Sequence, residues 1–297
     1  MLPALITTAL WSCSAIYAAR SANIIGAQRA NLARITLATI FLGIWAHTFG
    51  KGFEGPAFQW FLLSGATGFG FGDLALFGAL PRIGPRLTIL LTHCLAAPLA
   101  AFTEWAWLGT TLGSQEILCA TVILGGVAVA LAPDRGMVVA RSTFWIGVAF
   151  GVGSAVGQGL GSVISTKAAH VAELANYPID GGTAAYQRIV AGLALTAIVI
   201  FLLPKKLGDP PAAGAYKKAW PFVLANTLAG PALGVACFQW ALMGGKTGIV
   251  MPVVATSPVV TLLLVWWMDG VRPTRRSVIG GMVAVGGVIA LRMTQTQ

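Results

Sequence analysis

Charged side chains are what this sequence has least of. In 297 residues there are 19 Lys and Arg and 9 Asp and Glu, so 9% of positions are charged, against about 25% in an ordinary soluble domain. A soluble fold of this size could not cover its surface with so few. Disorder is excluded by the opposite property, since disordered chains are poor in apolar residues and 57% of this chain is hydrophobic. Cysteine is scarce as well. Cys13, Cys94, Cys119 and Cys237 each stand alone in an apolar run, which excludes a disulfide scaffold. No HExxH, CxxC or nucleophile-elbow pattern occurs. Lys246-Thr247 after Gly244-Gly245 fails as a phosphate loop, because the first glycine of that motif would fall on Trp240. No cofactor and no metal is implied.

What remains is apolar length. Mean hydropathy is +0.80. A helix needs about 20 mainly apolar residues to cross the hydrocarbon core, and ten such runs are present: roughly 2–19, 32–49, 57–80, 87–108, 117–132, 143–164, 183–203, 220–243, 248–268 and 277–293. The first lacks the basic n-region of a signal peptide and reads as a membrane helix. Glycines and helix formers fill the runs, without the ten-residue alternation of barrel strands. The links are short; the longest, about 165–182 and 204–219, are too small for a soluble domain. The net charge of +10 does not point to nucleic acid, because the basic residues sit in these links, where they orient helices in a bilayer.

The chain repeats itself. Ser14-Ala15 matches Ser154-Ala155 at a shift of 140, and Arg34-Ile35 matches Arg188-Ile189 at 154. Trp60 and Trp220, Pro98 and Pro258, and Trp107 and Trp267 pair at 160, and Gly125-Gly126-Val127 pairs with Gly286-Gly287-Val288 at 161. The steady growth of the shift is what small insertions in links produce. Five helices per half force the halves into opposite orientations, the inverted-repeat plan of secondary transporters. The expected fold is an all-α polytopic membrane protein of ten transmembrane helices in two inverted five-helix repeats, 1–136 and 137–297. Links after helices 1, 3, 5, 7 and 9 hold 13 Lys and Arg, and the opposite side holds four. The positive-inside rule then sets both termini outside.

Candidate site residues are the polar groups that fall inside the runs. Gly70-Phe71-Gly72-Asp73 and Pro231-Ala232-Leu233 mimic the GxGD and PAL of intramembrane aspartyl proteases. That chemistry needs two carboxylates sharing a proton, and Asp134, Asp180, Asp209 and Asp269 all lie in links or at helix ends. Asp73 itself is costly within a span; it reads either as a substrate or proton site or as a structural partner of an Arg. Arg34 and Arg188 read as helix ties or as substrate contacts. His93 is a packed neutral imidazole or a relay. Ser154, Gln158, Ser162 and Ser165 share one helix face, which must turn from lipid toward helices or a cavity. Gln158 is the preferred cavity residue of that face, with Asn226, Gln239 and the aromatic wall of Trp11 as further candidates. Glu104 and His47 lie near helix ends, where they reach the interface.

The pattern resembles the drug/metabolite transporter superfamily, specifically the EamA-type exporters, over nearly the whole chain. The residues that carry the resemblance are Trp11-Ser12 in the first helix, Arg34 and Arg188 opening the second helix of each half, Pro98 and Pro258 before the aromatic ends of the fourth helices, and the Gly-Gly-Val runs in the fifth. Two features depart from it. Thr110 follows Leu108-Gly109 where the family carries Glu, and the charge count puts the termini on the side opposite to the family's. The resemblance implies a secondary active transporter, not an enzyme, in a bacterial-type inner membrane. It would move a small amino-acid-like or drug-like metabolite outward by alternating access. Membrane lipid and protons are the expected partners, and the chain would act as a monomer or homodimer. The alternatives are a transporter or flippase of lipid phosphates or phosphorylated metabolites and, more remotely, an intramembrane enzyme.

Overall fold

The computed structural model describes residues 1–132, 140–202, 210–270 and 272–294. Asp134, Arg135, Lys205, Lys206 and Asp209 of the link readings, and the boundary at 136/137, lie outside the described residues. Among those described, every regular element is helical. The elements are α1 (Leu2–Ile25), α2 (Ala27–Thr48), α3 (Phe58–Gly65), α4 (Asp73–Leu108), α5 (Ser114–Leu131), α6 (Arg141–Leu174) and α7 (Gly181–Leu202), then α8 (Ala215–Thr227), α9 (Leu233–Met243), α10 (Thr247–Val254), α11 (Ser257–Asp269) and α12 (Arg275–Thr294). A π-helical segment, Ala66–Gly72, joins α3 to α4, and a second, Leu228–Ala232, joins α8 to α9.

Nine helical stretches among the described residues are long and apolar enough to cross a bilayer. The expected run 32–49 falls in α2, which is 22 residues long but polar in its opening turns, where Gln28, Arg29, Asn31 and Arg34 lie. Gly26, at φ 88°, closes the turn between α1 and α2 in a single residue, a conformation that glycine alone adopts freely.

Helical bonding runs through all of α4, yet α4 cannot be straight. Gly78 lies against Phe150, and Leu91 against Gly151. Residues 13 apart would be about 20 Å apart along a helix axis, so the chain doubles back between them. Two spans result, Phe58–Leu80 and Leu87–Leu108.

α6 corrects an expected boundary. It does not stop near 164 but continues to Leu174, giving 34 residues. Thr166-Lys167-Ala168-Ala169-His170 contains no proline or glycine to end it. At 1.5 Å per residue the helix is about 51 Å long, against a hydrocarbon core of about 30 Å.

The span Thr247–Asp269, the ninth when α2 is counted as the second, is broken between α10 and α11. Pro258 has no N–H for the Val254 carbonyl, and the carbonyls at the break take side-chain donors instead. The hydroxyl of Ser257 donates to Val254 O at 2.6 Å, and those of Thr256 and Thr8 donate to Val253 O at 2.6 and 3.2 Å. Ser12 of α1 donates to Ser257 O at 2.8 Å. α1 therefore carries hydroxyls at i and i+4 that satisfy a break in another helix, as backbone in an apolar medium requires.

Packing follows a crossed scheme. α1 lies on α8, α9 and α11, while α6 lies on α3, the first π segment and α4; α2 pairs with α7, and α5 with α12. Small residues set the closest approaches. A Cβ on Gly157 would come 2.6 Å from Gly72 Cα, and one on Gly126 would come 2.5 Å from Ala284 N.

Candidate functional site

Four of the polar residues singled out in the sequence converge where α2, α4, α6 and α7 meet. Asp73 opens α4 directly after the first π segment. Its carboxylate accepts a hydrogen bond from Gln158 Nε2 at 3.2 Å and lies 3.8 Å from Arg34 Nη2. Both side chains of that ion pair are largely buried, with 13% of Asp73 and 19% of Arg34 exposed. Arg34 Nε donates to Asn31 Oδ1 at 2.8 Å, one helical turn earlier, so Arg34 is aimed by its own helix.

Arg188 of α7 stands on the other side. It is 4% exposed and within electrostatic reach of Asp73. Its guanidinium lies 5.4 Å from the centroid of Phe69 in the π segment. Its Nε is buried without a hydrogen-bond partner. The π segment makes room for this side chain: a Cβ on Gly65 would overlap the Arg188 carbonyl, and one on Gly68 would lie 3.1 Å from Arg188 Nη2. Two guanidiniums, one carboxylate and one carboxamide thus share a largely buried site.

The remaining polar face of α6 does not line this site uniformly. Ser165 Oγ lies 2.8 Å from Ser64 Oγ, and Ser162 donates to Gln158 O and faces Met251 Sδ. These hydroxyls are taken up by helix contacts, while Ser154 Oγ is buried without a partner. Gln158 is the member that reaches the charged group.

A second group lies where α1 meets the eighth span. Ser14 donates to Asn226 Oδ1 at 2.7 Å, and Trp11 packs on Phe238 with ring centroids 5.2 Å apart. Asn226 Nδ2 and both amide atoms of Gln239 are buried without partners. The group borders the first one, since Thr227 donates to Arg34 O at 3.4 Å. His93 is half-buried on α4, with no hydrogen bond to either group among the described residues.

Glu104 corrects the expectation that it reaches the interface. It is 2% exposed. Its carboxyl accepts from Thr247 N at 2.9 Å, Thr247 Oγ1 at 3.0 Å and Gly248 N at 3.0 Å. The first N–H groups of α10 have no partner within the helix, and an acidic side chain placed there satisfies them and suits the helix dipole. Thr166 of α6 joins at 2.7 Å from Thr247 Oγ1. Nothing in the spacing of Glu104 from Thr247, 143 residues apart, signals this contact. Asn31 carried a readable signal, three residues before Arg34 on one helix face. Phe69 carried none, because a π segment shifts the face on which a side chain emerges.

The model of the EamA-like transporter family matches residues 1–132 and 145–293. One solved crystal structure superposes with a TM-score of 0.78 at 19% identity, covering 99% of this chain and 99% of that one. At that identity the likeness is one of fold. Among curated proteins no match is found.

Proposed function

The chain belongs to the EamA-like transporter family, a multi-pass membrane transporter family of the drug/metabolite superfamily, and from that premise we propose that it carries a small metabolite out of the cell by alternating access as a secondary active transporter. The observation that carries this reading is the buried group of Asp73, Arg34, Gln158 and Arg188. Ionisable groups inside spans are costly and mark substrate or ion pathways by default. This group draws α2 and α4 from the first half and α6 and α7 from the second. Breaks in the helices are the second support. Both the third and eighth spans contain a π segment, and the ninth is interrupted at Ala255-Thr256. Discontinuous helices at the junction of two repeats are where transporters of this plan bind and move.

The inverted repeat is supported by the exchange of packing partners. α1 is to the eighth and ninth spans what α6 is to the third and fourth, and the pairs α2–α7 and α5–α12 join like helices of the two halves. The proposed location is the inner membrane of a bacterial-type cell. A phosphorylated metabolite or lipid phosphate as cargo is a narrower form of the same reading.

The test is transport in reconstituted vesicles, with and without a pH gradient, comparing the native protein with Asp73→Asn. Asparagine keeps size and polarity but cannot titrate or pair with Arg34. The expected result is loss of transport, or loss of its response to the gradient, at equal amounts of folded protein. Unchanged rates and unchanged gradient response in Asp73→Asn would remove the residue from the transport cycle and make His93 the next to test.

A further inference from the structure

We propose that the buried group around Arg188 is an anion site, so that the transported molecule carries a carboxylate or phosphate group held by the Arg188 guanidinium. This deepens the transporter reading and rests on it. The first argument is the charge count. Arg34 and Arg188 bring two positive charges and Asp73 one negative; the other side chains in contact, Gln158, Asn31 and Phe69, are neutral. The site therefore holds one uncompensated positive charge, in a part of the molecule where an unpaired ion is most costly.

The second argument is where that charge lies. Arg34 donates from Nε to Asn31 and has the Asp73 carboxylate 3.8 Å from its Nη2. Arg188 makes no hydrogen bond among the described residues, although a guanidinium has five N–H donors in a rigid fork. Three other basic side chains are matched: Arg20 with Asp269, Lys246 with Glu116, and Arg82 with the Gly78 carbonyl. Arg188 differs from them in being both more buried and unmatched. Its contact with the face of Phe69 supports the plane of the fork, and its Nε is left without a partner, a group suited to binding a carboxylate or phosphate. A neutral or cationic group would leave the charge uncompensated, so the site selects against both. Asp73 consumes the second guanidinium, which weakens the hold on a bound anion and lets it leave.

The experiment uses four compounds with a common ring and different head groups: benzoate, phenyl phosphate, benzyl alcohol and benzylamine. Melting temperature and equilibrium binding are measured on the purified protein in detergent. Benzoate or phenyl phosphate should bind and raise the melting temperature, whereas the alcohol and amine should not. Which of the two anions acts tells a carboxylate cargo from a phosphate one. Arg188→Gln should weaken that anion about tenfold or more, as expected for a lost charge-assisted bond. Without ligand it should melt no lower than the native protein. Asp73→Asn should bind the anion more tightly, because it removes the negative charge beside Arg34. Equal binding of benzyl alcohol, binding of neither anion, or an anion affinity unchanged in Arg188→Gln would each overturn the proposal. If Arg188→Gln yields no folded protein, Asp73→Asn decides, and an unchanged anion affinity there overturns it. Anion binding without any vesicle transport would remove the transporter reading and keep the site. Transport of neutral or cationic solutes without anion binding would do the reverse.

Discussion

Asp180 shows at the scale of one residue what a carboxyl group does at the start of a helix. It precedes α7 and accepts from Gly182 N at 2.9 Å and Thr183 N at 3.0 Å, which are the second and third helical N–H groups, as well as from the Thr183 hydroxyl and from Trp45 Nε1 at 2.9 Å. Partial burial alone would raise its pKa. The hydrogen bonds from Thr183, Trp45 and Gly182 outweigh that and hold it below the ordinary aspartate value. A carboxyl group whose pKa is depressed in the folded state contributes stability above its unfolded pKa of about 3.9. That contribution is lost as pH falls through the lower folded value. Asp180→Ala should therefore melt lower than the native protein at pH 7, by the equivalent of about 0.5–2 kcal/mol for a lost N-cap. The gap should narrow below about pH 4. Thermal melts of both proteins in detergent across that range check it, and a gap independent of pH would assign the effect to packing alone.

At the scale of the element, the same substitution should have opposite signs at two helical glycines. Gly157 of α6 faces the backbone of Gly72, with 2.6 Å to its Cα and 2.8 Å to its nitrogen from an added Cβ; Gly286 of α12 has nothing within 4 Å. Backbone cannot yield as a flexible side chain can, so Gly157→Ala should destabilise by about 1–3 kcal/mol. It should also disturb Gln158, the next residue, and hence the bond to Asp73. Gly286→Ala meets open space and gains about 0.8–1.0 kcal/mol of helix propensity by the soluble scale. Melting temperatures of the two variants measured side by side test this. A Gly157→Ala protein as stable as the native one would mean that α6 and the π segment slide apart without cost.

At the scale of the whole molecule, the side on which the termini lie is open to direct test. With 13 Lys and Arg in the links of one face and four on the other, reporters fused after helices 1, 3 and 7 should read cytoplasmic, and a C-terminal reporter should read outside. A cytoplasmic C-terminal reporter would reverse the orientation and leave the helices unchanged. The helical architecture was legible in the sequence because apolar length is local: each span announces itself within about 20 residues. The run 32–49 reads as a span like the others, although α2, polar in its opening turns, is not among the nine stretches apolar enough to cross. The π segments and the 34-residue length of α6 were not, because both depend on how neighbouring helices pack. Within the site, Asp73, Arg34, Gln158 and Arg188 stood out as polar groups in apolar surroundings. Their meeting is a matter of helix pairing. Sequence alone gave no means of telling them from His93, which makes no hydrogen bond to them.

The Glu104 contact has a consequence for timing. It joins α4, α6 and α10 at the end of the molecule that also bears Lys246–Glu116, the Asp180 bonds and Gln187 Nε2, which donates to Gly52 O and Glu54 O. The opposite end bears Arg20–Asp269, whose side chains are 34% and 42% exposed, and the bonds of Ser277 Oγ to Ala130 O and of Arg276 Nη2 to Ala132 O. Exposed pairs, Lys246–Glu116 among them, contribute about 0–1 kcal/mol, whereas each net hydrogen bond of the buried Glu104 and Gln187 side chains contributes about 0.5–1.5 kcal/mol. In the alternating-access cycle proposed above, opening the Glu104 end would require breaking these buried bonds. Its two half-cycles would then run at different speeds, and the slower would be the one that has to undo Glu104.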